Sequence, residues 1–328
     1  MTSPTPAPAL PASSPPRPVL LVNTVMADFH LQQMAQQLPA LELVYAPEAE
    51  AAQAAMRQHA ARVQVVLTIG SIGLSAAEMD LLPALQLVCA LGAGYEKVDV
   101  AHARAHGIAT GNGAGTNDSC VADHAMALVL ASVRQLKHYD QQLRAGVWRT
   151  ALPLPAGITG KRLGVLGLGT IGRKIALRAQ VFEMQVGYHN RSPKADAPWQ
   201  YFDSLLALAD WADVLVVATP GGATTQHLVN APVLRALGPQ GHVVNIARGS
   251  VIDTAALAAV LRSGALGAAA LDVYESEPLP PQALLDLPNV LLTPHVAGWS
   301  PASVQATVDR FVANVQAHLQ GQPLVSAV

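Results

Sequence analysis

RLGVLGLGTIG, residues 162–172, is the segment of this chain that most clearly indicates its fold. An apolar run, Leu163–Leu166, leads directly into glycines at positions 167, 169 and 172, and a helical pattern follows over Ile171–Phe182. A strand, a glycine turn and a helix in this order predict a βα unit that binds the pyrophosphate of a dinucleotide. The glycines allow the tight turn, the approach of the backbone to the phosphates, and close packing of helix on strand, while the phosphates face the helix N-terminus. The residues expected at the coenzyme are Gly167, Leu168, Gly169, Thr170, Ile171 and Gly172.

Short apolar runs alternate with amphipathic stretches on both sides of this turn. Strands that alternate with helices imply parallel strands joined by helical crossovers. The predicted strands are Val19–Val22, Leu43–Tyr45, Val63–Thr68, Leu85–Ala90, Arg162–Leu166, Gln185–His189, Val214–Ala218, His242–Ile246, Gly267–Leu271 and Val290–Leu292. The predicted helices lie near 28–38, 48–60 and 75–81, at Asp118–Arg144 with Asp118 and Ser119 as candidate caps, at Ile171–Phe182, at Asp253–Arg262 and at about Pro301–Gln320. We therefore predict an α/β chain with two doubly wound parallel-sheet domains, of Rossmann or flavodoxin type, and a cleft between them.

The bulk composition excludes several classes of protein. The chain has 328 residues, which favours about two domains. Lys+Arg 20 against Asp+Glu 22 gives a net charge of −2, so neither nucleic acid nor an anionic membrane is expected as a partner. Cys89 and Cys120 are the only cysteines, as in proteins of a reducing compartment, and no apolar run is long enough to span a bilayer. Residues 1–18 are predicted to be a disordered Pro/Ala/Ser tail that lacks the features of a secretory signal, so we expect a cytoplasmic protein.

The strand after the glycine helix indicates which dinucleotide binds. An acidic residue at its end would accept a hydrogen bond from the adenosine ribose 2′-hydroxyl. Here the strand continues as Asn190-Arg191-Ser192-Pro193-Lys194, without a carboxylate. Arg191 and Lys194 can bind a 2′-phosphate and Ser192 can donate to it, although a solvated basic loop would look the same. We therefore expect NADP(H), with NAD(H) as the alternative, at the site residues Asn190, Arg191, Ser192 and Lys194.

Three further side chains follow later strands and supply the chemistry for reducing a 2-keto acid. Arg248 can hold the substrate carboxylate and polarise the carbonyl, because its planar fork stays cationic. His295 can protonate the new alkoxide, and Glu277 can hydrogen-bond the other ring nitrogen and favour the imidazolium. Each residue alone has an ordinary structural explanation, but all three follow predicted strands, and ligands bind beyond the carboxyl ends of the strands in open α/β sheets. Thr219, Pro220, Ala247 and Asp272, at the ends of strands, are expected at the coenzyme, and no residue is assigned as a metal ligand.

These motifs together resemble the D-isomer-specific 2-hydroxyacid dehydrogenases. The matching stretches are LGAGY at 91–95, GTN at 115–117, the glycine turn, NIARGS at 245–250, DVYESEP at 272–278 and PH at 294–295. The resemblance implies a substrate domain, 19–108 plus 295–328, and an inserted dinucleotide-binding domain, 109–294. It implies the roles given above for Arg248, Glu277 and His295, and substrate contacts for Ala93 and Gly94 and for the loop residues Ser71, Ile72 and Gly73. It also implies a homodimer with Asp118–Arg144 in the interface.

Two tryptophans bear on the substrate. Trp299 stands where many members of this family have small residues, and Trp148 resembles an aromatic residue that reaches the partner's pocket in hydroxypyruvate-reducing members. Two indoles would narrow a pocket to glyoxylate or hydroxypyruvate, or could instead stack on the ring of hydroxyphenylpyruvate. Packing in the core or at a dimer interface is the alternative for each.

The sequence thus favours an NADP(H)-preferring reductase of small 2-keto acids to D-2-hydroxy acids, of the glyoxylate/hydroxypyruvate reductase type. An aromatic 2-keto acid reductase is the alternative within the class. A nucleotide-sensing binding protein is disfavoured, because a sensor does not need the arginine, glutamate and histidine. Oxidation of a one-carbon or inorganic anion, such as formate or phosphite, is a third possible function.

Overall fold

Parallel strands with helical crossovers build both sheets of this chain, as the sequence predicts. The structure is a computed structural model that describes residues 16–328, so residues 1–15 of the predicted tail lie outside the described residues. The chain divides into two units. The first runs through Leu91, includes Lys97–Asn112 and ends with Phe311–Val328. The second comprises Gly92–Glu96 and Gly113–Arg310.

The first unit contains a five-stranded sheet. Its strands are β1 (Val19–Val22), β2 (Glu42–Tyr45), β3 (Val63–Thr68), β4 (Leu87–Ala90) and β5 (Ala109–Asn112). All neighbours pair in parallel in the order β2-β1-β3-β4-β5, which is the flavodoxin-like order. Its helices are α1 (Asp28–Gln37), α2 (Ala49–His59), α3 (Ala76–Asp80) and α4 (Val100–Ala105). Strand β1, which lies between β2 and β3, is apolar and buried along its whole length, because helices cover both faces of such sheets.

The second unit contains a seven-stranded sheet. Its strands are β6 (Arg162–Leu166), β7 (Gln185–His189), β8 (Gln200–Tyr201), β9 (Val214–Val217), β10 (His242–Asn245), β11 (Ala268–Leu271) and β12 (Val290–Leu292). They pair in parallel in the order β12-β11-β10-β9-β6-β7-β8, so the first strand of the unit lies inside the sheet and the order reverses beside it. This is the Rossmann order extended by one strand. Its helices are α5 (Asp118–Val133), α6 (Leu136–Arg144), α7 (Thr170–Val181), α8 (Leu205–Trp211), α9 (Ala231–Ala236) and α10 (Thr254–Arg262), and α11 (Pro301–Leu319) runs on into the first unit.

The two faces of the second sheet bury separate cores. One core packs α8, α9 and α10 against the sheet, with Leu208, Leu215, Leu234, Val243 and Leu257 among its buried members. The other packs α5 and α7, with Ala122, Val129, Ile175, Val165 and Val216. Because both faces of the sheet are covered by packed helices, the loops beyond the strand ends are the part of this unit that can bind ligands.

One predicted helix, Asp118–Arg144, is wrong as a single element. It divides into α5 and α6 at Gln135, which has φ +50°. A left-handed residue ends an α-helix, and because it is a glutamine rather than a glycine, composition gives no warning of it. The predicted caps Asp118 and Ser119 are wrong as well, because Asn117 precedes the first helical residue and makes no capping bond through its side chain.

Several short elements were not predicted. They are β5, α4, β8, α8 and α9, each two to seven residues long. Such lengths show too little hydrophobic periodicity to be distinguished from loops. The helix α10 was well predicted, because Asp253 accepts a hydrogen bond from the Ala256 amide at its start and Gly264 follows its end with φ +71°.

Candidate active site

The glycine turn joins β6 to α7 where the strand order of the second sheet reverses. Gly167 has φ +99°, and a Cβ there would lie 2.7 Å from the amide nitrogen of Thr219. A Cβ on Gly172 would collide with the carbonyl oxygen of Gly167. A Cβ on Gly169 would meet no atom within 4 Å, so this side of the turn is open. The turn therefore fits a pyrophosphate held against the first amides of α7.

Asn190 braces this turn from the end of β7. Its Oδ1 accepts a hydrogen bond of 2.7 Å from the amide of Leu168, and the Gly167 amide donates to the carbonyl of His189 at 3.0 Å. The side-chain oxygen of Asn190 is thus engaged in shaping the turn. A direct role in coenzyme binding, as predicted, would fall to its amide nitrogen.

The predicted 2′-phosphate residues Arg191, Ser192 and Lys194 are exposed directly after β7. The first carboxylate downstream is Asp196, which forms an ion pair of 2.6 Å with Arg173. The segment therefore presents two cations to solvent before any acid, which suits a phosphate better than a ribose hydroxyl.

Arg248 follows β10 and is held along its whole length. Its Nε donates to Glu96 Oε1 at 2.8 Å, and its Nη1 donates to the carbonyl of Ala247 at 2.6 Å. A Cβ on Gly94 would collide with Nη2, and a Cβ on Gly221 would lie 2.7 Å from Cγ. Both glycines are thus needed for the arginine to lie where it does. The guanidinium has a fixed orientation, with Nη2 next to the Gly94 backbone.

Asn245, at the end of β10, shapes the turn that carries Arg248. It is almost fully buried, its Nδ2 donates to the Arg248 carbonyl at 3.0 Å, and its Oδ1 accepts from the Ala247 amide at 3.0 Å. Ala247, predicted at the coenzyme, is buried, and its carbonyl accepts a hydrogen bond from Arg248. In this structure Ala247 therefore supports Arg248. Of the other predicted coenzyme residues at strand ends, Thr219 borders the glycine turn and Pro220 is exposed.

Glu277 and His295 form the acid–histidine pair that the sequence predicts. Glu277 Oε2 lies 2.8 Å from His295 Nδ1, and Glu277 Oε1 accepts a hydrogen bond of 2.8 Å from the Tyr274 amide. His295 has φ +54°, and its amide donates to the carbonyls of Asp272 and Thr293. The imidazole remains about half exposed. The geometry fixes the ring with Nδ1 on the glutamate and leaves Nε2 as its other polar atom.

The electrostatics of this pair favour a charged histidine. The hydrogen bond that His295 donates to Glu277 raises the pKa of His295, although burial and the positive charge of Arg248 oppose the shift. Burial would raise the pKa of Glu277, but the hydrogen bonds from His295 and the Tyr274 amide outweigh it and hold that pKa below its ordinary value. The segment of Arg248 lies against that of Glu277, because a Cβ on the adjacent Gly249 would collide with the backbone of Tyr274, whose amide binds Glu277. The charge of Arg248 accordingly lowers the pKa of both partners.

Asp272, predicted at the coenzyme, instead supports the histidine loop. It is 1% exposed, and its carboxylate accepts hydrogen bonds from the amides of Val296 and Ala297, both at 2.9 Å. The hydroxyl of Thr293 donates to it at 2.6 Å, and His124 Nε2 lies 3.0 Å from the same hydroxyl. The oxygens of the Asp272 carboxylate are thus occupied inside the protein, and its contact with the coenzyme stays a prediction.

The loop predicted to face the substrate in the first unit follows β3. Ser71 and Ile72 are exposed, whereas Gly73 is buried with φ +77°. The hydroxyl of Thr68 donates to the Gly73 carbonyl at 2.9 Å, and a Cβ on Gly73 would collide with the carbonyl of Lys97. The backbone of this loop is therefore fixed, with two side chains presented to solvent.

Both tryptophans are exposed, which excludes packing in the core of this chain. The exposed fraction is 64% for Trp148 and 74% for Trp299. Trp148 directly precedes a short 3-10 helix, and the Trp299 amide donates to the Val296 carbonyl within the histidine loop. Trp299 is thus four residues from His295 along the chain and held by the same loop.

Sequence reasoning missed Glu96, Gly221 and a second acid–histidine pair. His227 Nε2 lies 2.6 Å from Glu275 Oε1, and Glu275 Oε2 accepts from the Thr254 amide at 3.0 Å. This pair ties the loop that carries Gly221 to the segment before Glu277. Only Glu275 had a signal in the sequence, since it lies two residues before Glu277 in the matched stretch.

Comparison with known proteins identifies the family of this chain. Residues 126–297 match the family model described as D-isomer specific 2-hydroxyacid dehydrogenase, NAD binding domain. The chain is 37% identical over 267 residues to hydroxyphenylpyruvate reductase of Plectranthus scutellarioides, covering 81% of this chain and 85% of that protein. It is 36% identical over 274 residues to glyoxylate/hydroxypyruvate reductase A of Arabidopsis thaliana, covering 83% and 88%.

A solved structure extends the similarity to almost the whole chain. The NADPH-dependent glyoxylate/hydroxypyruvate reductase of Sinorhizobium meliloti, in complex with NADP and malonate, superimposes with a TM-score of 0.85 at 37% identity. The match covers 95% of this chain and 97% of that one. The parallel sheets, the glycine turn and these matches lead to one conclusion: the chain belongs to the family of D-isomer-specific 2-hydroxyacid dehydrogenases.

Proposed function

We propose that the protein is an NADP(H)-preferring reductase that converts small 2-keto acids to D-2-hydroxy acids, of the glyoxylate/hydroxypyruvate reductase type. The observation that carries the proposal is the grouping of Arg248 with the hydrogen-bonded pair Glu277–His295 beyond the carboxyl ends of strands. These groups supply a fixed cation, a proton donor and a carboxylate that stabilises the protonated donor.

Arg248 binds the substrate carboxylate through Nη2, the nitrogen that lies beside Gly94. Its other nitrogens are bonded to Glu96 and to the Ala247 carbonyl, so the orientation of the fork is set before substrate arrives. We propose that the backbone at Ala93 and Gly94 completes this carboxylate site. Ser71, Ile72 and Gly73 stay predicted substrate contacts.

His295 holds the proton that the ketone oxygen needs. Glu277 binds Nδ1, so Nε2 carries the transferable proton, and the glutamate stabilises the imidazolium before transfer. When bound, NADPH supplies the hydride to the keto carbon. The proton from His295 neutralises the developing alkoxide, and the product is a 2-hydroxy acid.

The preference for NADP(H) rests on Arg191, Ser192 and Lys194 after β7. Their exposed polar groups precede the first carboxylate, Asp196, which is paired with Arg173. A 2′-phosphate gains charge-assisted bonds from such a segment, whereas NAD(H) would gain nothing from the cations. The Sinorhizobium meliloti relative, which is NADPH-dependent by name, supports this choice.

A second candidate is reduction of aromatic 2-keto acids such as hydroxyphenylpyruvate. It is favoured by the exposed indole of Trp299 in the histidine loop and by the similarity to a hydroxyphenylpyruvate reductase. An exposed indole can stack on a phenyl ring as readily as it can narrow a pocket.

We also propose that the protein is a homodimer that uses α6 in its interface. No residue of α6 is buried, although Leu136 and Leu143 are on this helix and Trp148 follows it, each more than half exposed. Covering such apolar side chains favours association.

No helix among residues 16–328 has the length and apolar character to cross a bilayer. We propose a cytoplasmic location, since both cysteines are free thiols. We also propose that the dinucleotide-binding domain comprises residues 109–294.

The test is a set of initial rates of NADPH and NADH oxidation with glyoxylate, hydroxypyruvate, pyruvate, phenylpyruvate and hydroxyphenylpyruvate. Fast turnover of glyoxylate and hydroxypyruvate with NADPH supports the proposal. A preference for the aromatic acids keeps the mechanism and selects the second candidate. Formate and phosphite are tested separately, as substrates for oxidation with NADP⁺ or NAD⁺. If the protein binds coenzyme but turns over none of these compounds, the proposed reductase activity is refuted and a nucleotide sensor is favoured.

A further inference from the structure

Three metal-ligating side chains converge on the surface of the first unit. One ligand atom from each of Asp80, His102 and His106 lies within 4.8 Å of the other two. His102 Nε2 is 2.9 Å from Asp80 Oδ1, and the two imidazoles stack with ring centroids 4.1 Å apart. Among the residues that the structure describes, this is the group of histidine, cysteine and acidic side chains that meets the spacing of a metal site.

The spacing of the two histidines along the chain produces this convergence. His102 is on α4 and His106 directly follows it, four residues later. Side chains at i and i+4 lie on the same face of a helix, which is how paired histidines bind zinc in helical motifs. Asp80, the last residue of α3, brings a carboxylate to the same face from a different element.

The backbone fixes the chemistry of His106. Its Nδ1 lies 2.9 Å from the carbonyl oxygen of His102, and a carbonyl can only accept, so Nδ1 carries the proton. The lone pair is therefore on Nε2. Metal-bound histidines characteristically donate their second ring nitrogen to a carbonyl or carboxylate in this way, because it orients the ring and raises its basicity.

The two short helices are also fixed relative to each other within the first unit. Ser75 and Glu78 form a capping box at the start of α3, and Asp99 accepts a hydrogen bond from the His102 amide at the start of α4. The Asp99 amide donates to the Leu74 carbonyl at 3.0 Å. The ligand atoms thus project from two capped helices tied at their beginnings, which lowers the cost of ordering them around an ion.

We propose that Asp80, His102 and His106 form a binding site for a divalent transition metal ion, Zn²⁺ in the first instance, with water completing the coordination. Two imidazoles and one carboxylate are a ligand set that suits Zn²⁺, whereas Mg²⁺ and Ca²⁺ prefer oxygen ligands throughout. Zn²⁺ accepts tetrahedral coordination by three protein ligands and a water. The site involves neither Arg248 nor the Glu277–His295 pair, so it is independent of the proposed reductase activity.

A bound ion would connect α3 to α4 and close the chain between Asp80 and His102. That closure holds together the segment that contains Lys97, whose carbonyl contacts the Gly73 turn. Because an ion that binds only the folded state stabilises it by mass action, the first observable consequence is resistance of the protein to unfolding.

The experiment is a calorimetric titration of metal-free protein with Zn²⁺, run on the wild type, His106→Ala and Asp80→Asn. His138→Ala is the matched control, because it removes a partly exposed histidine from α6, outside the cluster. We expect one saturable site per chain in the wild type and control, and affinity reduced at least about tenfold in each cluster variant. Circular dichroism checks that the variants are folded, and Mg²⁺ in place of Zn²⁺ should produce no comparable binding.

Thermal unfolding with and without Zn²⁺ provides the second readout. The midpoint of the wild type should rise with Zn²⁺ concentration, and that of His106→Ala should rise much less. Absence of saturable binding in the wild type overturns the proposal. Equal affinity in the wild type, His106→Ala and Asp80→Asn overturns it too, because the ion would then be bound elsewhere, for example at Glu277 and His295.

Discussion

Glu96 holds Arg248 by its Nε atom, at 2.8 Å from Glu96 Oε1. Both side chains are about one-third exposed, so the ion pair is screened by solvent and its contribution to stability is small. Its importance is orientation, since it directs the guanidinium so that Nη2 lies beside Gly94. Arg248 is thus preorganised for a second carboxylate rather than free to search for one.

Replacing Glu96 by Gln should therefore weaken substrate binding more than the chemical step. We expect KM for glyoxylate to rise roughly tenfold, with kcat changed much less, because the fork loses its orientation but keeps its charge. Steady-state kinetics measure this, and Glu42→Gln is the matched control because it removes the partner of Arg62 in a pair of similar exposure. An unchanged KM in Glu96→Gln would contradict the role of Glu96.

The neighbouring glycines provide a steric test. A Cβ on Gly94 collides with Arg248 Nη2, whereas a Cβ on Gly92 meets no atom within 4 Å. Gly94→Ala should displace the guanidinium and lower kcat/KM on the order of 100-fold, and Gly92→Ala should leave it close to the wild-type value. Equal effects of the two substitutions would show that the segment, rather than the contact with Arg248, is what matters.

Removing the proposed proton donor should affect turnover and spare coenzyme binding. His295→Ala is expected to lower kcat about 10²–10⁴-fold. NADPH affinity, measured by fluorescence titration, should stay near the wild-type value, because the turn that would hold the pyrophosphate lies after β6. Near-normal turnover in the variant would exclude His295 as the donor.

The pH profile tests the Glu277–His295 pair. Glu277 raises the pKa of His295, so the protonated donor persists to higher pH, and the reduction rate should fall as pH rises through that raised pKa. In Glu277→Gln the charge of the acceptor is lost, the pKa of His295 should drop, and the fall in kcat/KM should move to lower pH. The measurement is kcat/KM across pH for both proteins, and a profile that does not move would argue against the pairing.

Arg191 tests the choice of coenzyme. Arg191→Ala should raise KM for NADPH roughly tenfold or more and leave KM for NADH nearly unchanged, because only NADPH carries the 2′-phosphate. Arg57→Ala, which removes an exposed arginine from α2, controls for the change in net charge. Equal losses for both coenzymes would remove Arg191 from phosphate recognition.

Strong local patterns account for the parts of the fold that were predicted. Five strands have the predicted limits, because short apolar runs between polar segments are typical of strands in a buried parallel sheet: Val19–Val22, Val63–Thr68, Arg162–Leu166, Gln185–His189 and Val290–Leu292. The break at Gln135 was not predictable, since a glutamine in the left-handed region is stabilised by its surroundings and not by its own preference.

In the candidate site, too, some features could be predicted from the sequence and others could not. Arg248, Glu277 and His295 could be proposed from the sequence because each is an ionisable side chain in a short, well-spaced motif after a strand. Glu96 could not, because an ion pair between residues 152 positions apart leaves no periodic trace in the sequence. The sequence places Asp272 at the coenzyme because it follows a strand. Its burial and its hydrogen bonds to the Val296 and Ala297 amides depend on the tertiary structure and could not be predicted from the sequence.

The class of fold, the glycine turn and the candidate reactive side chains can be read from the amino-acid sequence, because propensity, periodicity and glycine spacing act over a few residues. The groups that orient these side chains become apparent in the folded chain. They are Glu96 and Gly94 for Arg248, and Glu277 and the buried Asp272 for the loop of His295. The physical reason is range. Backbone preference is local, whereas hydrogen bonds and steric contacts depend on distances that are fixed only when parallel strands bring their carboxyl ends to one edge of a sheet.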